Sequence, residues 1–116
     1  MTEHAPLTPT TTDQEVVLAA RRGSDAAYRE LVRRYERPIF SLIFRMVRDR
    51  ELAEDLTQET FIKAMNALAS YRPEFKFSSW IFKIATNLTI DWIRRKEVPT
   101  VSIDANGSRS RIFFSW

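Results

Sequence analysis

Cysteine is absent from this 116-residue chain, which excludes a disulfide framework and any thiolate metal site. Histidine occurs once, at His4, inside a segment rich in Thr and Pro, so no histidine-based metal site or proton relay is expected. Glycine occurs only twice, while Ala, Leu, Arg and Glu are abundant; that balance favours helix over sheet. No strand-like alternation and no internal repeat is present. No apolar run is long enough to span a bilayer, and the N-terminus lacks a signal-peptide pattern, so membrane insertion is not expected and a cytoplasmic location is. Neither a nucleophile with a paired base nor a cluster of metal ligands can be found, so the expectation is a binding protein without catalytic residues, metal or cofactor.

What is present describes an ordinary globular domain. Hydrophobic residues make up 44% and charged residues 28% of the chain. Lys and Arg number 18 against 15 Asp and Glu, a net charge of +3 that is only a weak pointer to nucleic acid. The expected architecture is all-α, a compact bundle of about four helices. Residues 1–12 read as a flexible leader and 13–97 as the folded domain, followed by a linker and tail over 98–116. Asp13 is the expected N-cap of the first helix and Gly23 its end. Ser24 or Asp25 caps a long second helix with apolar positions Tyr28, Leu31, Val32, Tyr35, Ile39, Leu42, Ile43 and Met46. Pro38 is expected to kink or locally break it. Asp49 caps a third helix reaching about Leu68. A loop follows to Phe77, and Ser78 or Ser79 caps a fourth helix ending near Lys96.

At 100° per residue the third helix places Leu52, Ala53, Leu56, Ala64, Ala67 and Leu68 on one broad side, the core face. Opposite lie Asp55, Gln58, Glu59, Ile62, Met65 and Asn66. A solvated polar face would not centre on Ile62; an apolar centre ringed by acids and amides is the anatomy of a protein-binding patch. In the fourth helix Ile81, Ile84, Ala85, Leu88 and Trp92 face the core. Lys83, Asn87, Ile90 and Arg94 form the opposite stripe, flanked by Phe82, Thr86 and Ile93, and Arg95 and Lys96 follow. The preceding loop adds Tyr71, Arg72, Phe75, Lys76 and Phe77. Rings interleaved with cations suit single-stranded nucleic acid, because each stacked base contributes about 1–3 kcal/mol while the cations follow phosphates. Two readings stay open on spacing alone. Phe75, Phe77 and Trp80 suit a core cover as well as a stacking platform, and Asn87 suits a base edge as well as the loop backbone.

These stretches also carry a family resemblance. Ala53-Glu54-Asp55-Leu56-Thr57-Gln58-Glu59-Thr60-Phe61-Ile62-Lys63-Ala64 resembles the core-binding helix of region two in extracytoplasmic-function sigma factors of the sigma-70 family. Trp80-Ile81-Phe82-Lys83-Ile84-Ala85-Thr86-Asn87 and Asp91-Trp92-Ile93-Arg94-Arg95 resemble that family's promoter-reading helix, and Gly23 to Tyr28 with Arg34-Tyr35 fits upstream. The resemblance covers about Asp13 to Lys96.

It implies that Asp55, Gln58 and Glu59, extended by Ile62 and Met65, face the clamp helices of the beta-prime subunit of core RNA polymerase. It implies that the loop near Leu68 to Phe77 receives a base flipped from the minus-ten element. Asn87, Phe82 and Lys83 would hold the non-template single strand, with Tyr71, Arg72, Phe75, Lys76, Phe77, Arg94 and Arg95 completing the DNA-binding set. An anti-sigma factor is a further implied partner.

Such factors carry a second, helix-turn-helix domain, which nothing after Pro99 encodes; a truncated or isolated domain is therefore expected. The Ser108 to Trp116 tail is expected to lack order or to dock Phe113, Phe114 and Trp116 in an exposed groove. Loss of the second domain motivates an alternative, a fragment that occupies the polymerase clamp or an anti-sigma factor without productive DNA binding. A generic duplex-binding helical protein is a third reading.

Overall fold

The computed structural model describes residues 7, 8 and 10–97. Four helices form it: α1 (Asp13–Arg21), α2 (Asp25–Val47), α3 (Arg50–Asn66) and α4 (Phe77–Glu97), with a 3₁₀ turn over Leu68–Ser70 between α3 and α4. The expectations for the 98–116 tail lie outside the described residues.

Each helix starts where a side chain can satisfy its first amides. Thr12, not Asp13, caps α1: its hydroxyl accepts from Glu15 N (3.2 Å) and the Glu15 carboxylate accepts from Thr12 N (3.0 Å). Asp13, displaced into the first turn, instead serves α2. It accepts from Arg34 Nη1 at 3.0 Å and from the Tyr35 hydroxyl. Gly23 ends α1 with φ +96°, while its N–H and that of Ser24 reach the carbonyls of Ala20 (2.9 Å) and Ala19 (3.1 Å). Ser24 then accepts from Ala27 N at 3.1 Å and caps α2.

The second helix runs through Pro38 without the expected break. It ends at Arg48, which takes a left-handed conformation (φ 56°), and Asp49 caps α3 by accepting from Leu52 N at 3.0 Å. Helix α3 stops at Asn66, short of Leu68, which belongs to the 3₁₀ turn. Helix α4 begins at Phe77, ahead of either expected serine cap, and Trp80 N donates to the Lys76 carbonyl at 3.1 Å.

The core draws on every element: Val16 and Val17 from α1, Leu31, Ile39 and Ile43 from α2, Leu56 and Phe61 from α3, and Ile81 and Ala85 from α4. Tyr28 departs from its expected inward position, with 39% of its surface exposed. Three buried threonines, Thr57, Thr60 and Thr89, join the core despite their hydroxyls. Each hydroxyl donates to the carbonyl four residues back (Ala53, Leu56 and Ala85, at 2.7–2.8 Å), so none of these three hydroxyls is left unpaired. Ahead of α1, Leu7 packs against the core and Arg34 Nη2 donates to the Thr8 carbonyl at 3.1 Å.

Two outcomes follow from this packing. Leu31 is fully buried, so Leu31→Ala should lower the unfolding free energy by about 3 kcal/mol, read from the urea midpoint at neutral pH. Glu30 accepts from Arg33 Nη2 at 2.8 Å and Arg34 Nε at 2.7 Å; these bonds lower its carboxyl from 4.5 to about 2. A depressed carboxyl stabilises the fold above its unfolded value and loses that contribution as pH falls toward the folded value. The melting temperature of Glu30→Gln should therefore fall less steeply than that of the parent between about pH 4.5 and 2.

Candidate functional site

Helix α3 can bury only part of its circumference. Ala53, Leu56, Thr57, Thr60, Phe61 and Ala64 turn inward, while Asp55, Gln58, Glu59 and Ile62 are exposed and Met65 is half-buried. Ile62 keeps 61% of its surface open, an uncommon position for a large apolar side chain amid acids and an amide. The five residues expected to share a protein-facing surface thus lie on one accessible side. Beside Gln58 a shallow depression of about 330 Å³ opens between α2 and α3, lined by Arg37, Phe40, Arg50 and Glu54. Phe40 stacks on Phe44 at 5.8 Å, and the Arg50 guanidinium lies 5.5 Å from the Phe40 ring centre.

Helix α4 buries Ile81, Ala85 and Thr89, with Ile84, Leu88 and Trp92 half-buried behind them. Lys83 and Asn87 are exposed; Ile90 and Arg94 are half-buried along the same stripe. A groove of about 580 Å³ runs between α3 and the C-terminal half of α4. Glu59, Lys63, Asn87, Trp92, Arg94 and Arg95 contribute to its walls, so the acidic side of α3 and the cationic end of α4 meet there. Asp91 accepts from Arg95 at 3.1 Å, and the Lys96 ammonium sits 5.4 Å from the Trp92 ring centre. Cations in this last turn also complement the helix dipole.

The loop corrects the expected DNA-binding set. Tyr71, expected to offer its ring to bases, and Phe77, open between a core cover and a stacking platform, retain only 2% and 1% of their surface and belong to the core. Their rings meet at 5.5 Å, edge to face, and Phe77 also meets Tyr35 at 5.5 Å and Trp80 at 5.5 Å. The reason is covalent as much as apolar: both residues flank a tight loop and serve as its two anchors. Phe82 is half-buried, its ring 6.1 Å from Tyr35. Phe75 is the large apolar side chain the loop leaves open, with 57% of its surface exposed, and Arg72 and Lys76 are exposed on either side. The Arg72 guanidinium pairs with Glu74 at 3.3 Å.

The loop is held from α1, which the sequence pattern did not indicate. Arg21 donates from Nε to the Leu68 carbonyl (3.1 Å) and from Nη2 to the carbonyls of Ala69 (3.5 Å) and Tyr71. Gln14 Nε2 donates to the Tyr71 hydroxyl (3.1 Å) and the Pro73 carbonyl (3.3 Å), and that hydroxyl donates to the Phe75 carbonyl. Burial raises the ionisation point of the Tyr71 phenol, so it remains a donor at neutral pH. These partners are some fifty residues apart in the chain, beyond the reach of any local spacing rule.

Comparison with known proteins places this geometry. Residues 31–98 match the family model described as Sigma-70 region 2. The chain is 41% identical over 85 residues to the ECF RNA polymerase sigma factor SigW of Bacillus subtilis, spanning 73% of this chain and 45% of that protein. It is 41% identical over 75 residues to the RNA polymerase sigma-H factor of Pseudomonas aeruginosa (65% and 39%) and 34% identical over 96 residues to the ECF RNA polymerase sigma-E factor of Escherichia coli K12 (81% and 50%). The chain therefore spans about half the length, or less, of the curated relatives it matches. Among solved structures, an engineered region 2 of sigmaE in complex with GTAAAA superposes with a TM-score of 0.69 at 35% identity, covering 79% of this chain and all of that one. By its matched span, its relatives and its fold, the chain belongs to the sigma-70 region 2 family, within the group of ECF sigma factors.

Proposed function

We propose that this domain binds core RNA polymerase through the outer face of α3 and recognises and melts the minus-ten promoter element through α4 and the loop before it. The observation that carries the reading is the pair of accessible faces on adjacent helices: Asp55, Gln58, Glu59 and Ile62 on one, Lys83 and Asn87 on the other. Likeness to a region 2 solved in complex with GTAAAA supports the second face as the one that meets DNA. On this reading the clamp helices of the beta-prime subunit receive the α3 face, with Ile62 as its apolar centre and Met65 at its edge. The work is done in the bacterial cytoplasm, where polymerase acts.

The mechanism follows from energetics. Extruding a base from duplex loses a few kcal/mol of stacking and pairing. Phe75 supplies a ring only to a base already extruded, while Lys76 and Arg72 add charge beside it, so binding shifts the equilibrium from duplex to bubble. Asn87 can give and accept a hydrogen bond at one base edge, and Lys83, Arg94 and Arg95 follow the phosphates.

Fluorescence anisotropy with a labelled minus-ten non-template strand tests the DNA face. Binding should weaken with added salt, resist duplex competitor and drop about tenfold in Asn87→Ala, whose exposed position leaves stability within about 0.5 kcal/mol of the parent. Duplex that competes as well as single strand would refute it. For the α3 face, Gln58→Ala or Asp55→Ala should reduce capture of core polymerase at unchanged helical content, and undiminished capture would reject that assignment.

A further inference from the structure

We infer that Arg21 and Gln14 of α1 are positioning residues for base selection by the loop between α3 and α4, although neither belongs to the face that meets DNA. The inference rests on the function proposed above and extends it to a helix outside the DNA-reading segment.

Between Asn66 and Phe77 the chain makes few backbone bonds of its own: Ser70 N to Ala67 O, Tyr71 N to Leu68 O and Phe75 N to Arg72 O. A loop so lightly bonded samples many conformations unless its carbonyls find other partners. Helix α1 provides them. The Arg21 fork spans the carbonyls of Leu68, Ala69 and Tyr71, and its guanidinium carbon lies 5.8 Å from the Tyr71 ring centre. Gln14 takes the Pro73 carbonyl and, through the Tyr71 hydroxyl, fixes the carbonyl of Phe75. The carbonyls of Leu68, Ala69, Tyr71, Pro73 and Phe75 are thereby held, and the exposed ring of Phe75 projects from a restrained backbone.

Selection of one base over another needs its partners in place beforehand, because a loop that must order on binding spends part of its discrimination on ordering itself. Contacts from α4 to phosphates and to the base at Asn87 have no such dependence. Loosening the brace should therefore blunt selectivity at the base the loop receives and spare selectivity elsewhere. A lysine at position 21 keeps the charge but not the planar fork that reaches three carbonyls.

The test uses the full chain and a pool of single-stranded deoxynucleotides, each with six randomised central positions. Bound strands are recovered and sequenced. The parent should show a preference of about tenfold at several neighbouring positions. In Arg21→Lys, Arg21→Ala and Gln14→Leu the preference at one or two adjacent positions should fall to about twofold, the positions sensitive to Asn87→Ala should persist, and loop amides alone should exchange faster. The dependence of affinity on salt should not change, whereas a direct phosphate contact by Arg21 would reduce its slope by about one.

If the parent shows no preference at any position, the proposed DNA recognition itself fails. Parent preferences that survive intact in folded variants would overturn the brace, as would uniform loss at every position. Should Arg21→Ala not fold, Arg21→Lys and Gln14→Leu decide the matter.

Discussion

The rings of Tyr35, Tyr71, Phe77 and Trp80 meet in one cluster, and the placement of the loop and of the start of α4 depends on it. Tyr71 lies 5.0 Å from Trp80 and 5.5 Å from Phe77, and Phe77 in turn reaches Tyr35 on α2. Ring contacts of this kind, two edge-to-face and one tilted, contribute about 0.5–1.5 kcal/mol each beyond the area they bury. The cluster is also where the polar contacts of α1 converge. Asp13 accepts from the Tyr35 hydroxyl and Gln14 donates to the Tyr71 hydroxyl, so neighbouring residues on one helix satisfy the only polar atoms of two tyrosine rings, one half-buried and one buried. Buried hydroxyls left without partners would be costly. With them paired, the end of α3, the loop and the start of α4 are fixed relative to α1 and α2 by the same few side chains.

From that node the two candidate faces follow by helix geometry. Once Phe77 and Ile81 point inward, positions 83 and 87 must point outward, because each lies roughly opposite the buried row. On α3 the inward row of Ala53, Leu56, Thr60 and Ala64 sends Asp55, Gln58, Glu59 and Ile62 outward in the same way. Neither outer face contributes to the core, so their composition can serve partners without altering the fold. On the proposed reading they differ in character as their partners would. A protein clamp suits an apolar centre with an acidic rim, whereas a strand of phosphates and bases suits cations and amides.

Most of this frame could be read from local chemistry. Gly23, Ser24 and Asp49 mark helix ends because capping is a matter of one side chain and its nearest amides. The inward positions Leu31, Ile39, Ile43, Leu56, Ile81 and Ala85 follow from a 3.6-residue period. What escaped depends on distance or on a dual-natured side chain. Thr57, Thr60 and Thr89 had no place in the apolar pattern, yet a hydroxyl that bonds back to its own helix leaves a methyl group for the core. Thr12 took the cap expected of Asp13 because Asp13 has a stronger use across the gap, beside the Arg34 guanidinium. Tyr71 read as a base platform, and Phe77 stayed open between platform and core cover, because rings beside cations look alike whether they face water or the interior. Only the tertiary arrangement separates the anchors from Phe75.

The division between anchors and Phe75 bears on how a small domain can favour an open strand. A ring that is both structural support and base platform would have to move for one role to serve the other. Here the two are assigned to different residues within one short loop: Tyr71 and Phe77 hold it to the body, and Phe75 between them remains open. On the proposed reading, because the anchors are already buried, an arriving base would meet a surface whose ordering was completed on folding, and the stacking it gains would not be diminished by immobilising the loop. The small aromatic set left exposed is therefore consistent with melting: a few kcal/mol of stacking on a prearranged ring is comparable with the loss on extruding one base, enough to tip a nearly balanced equilibrium.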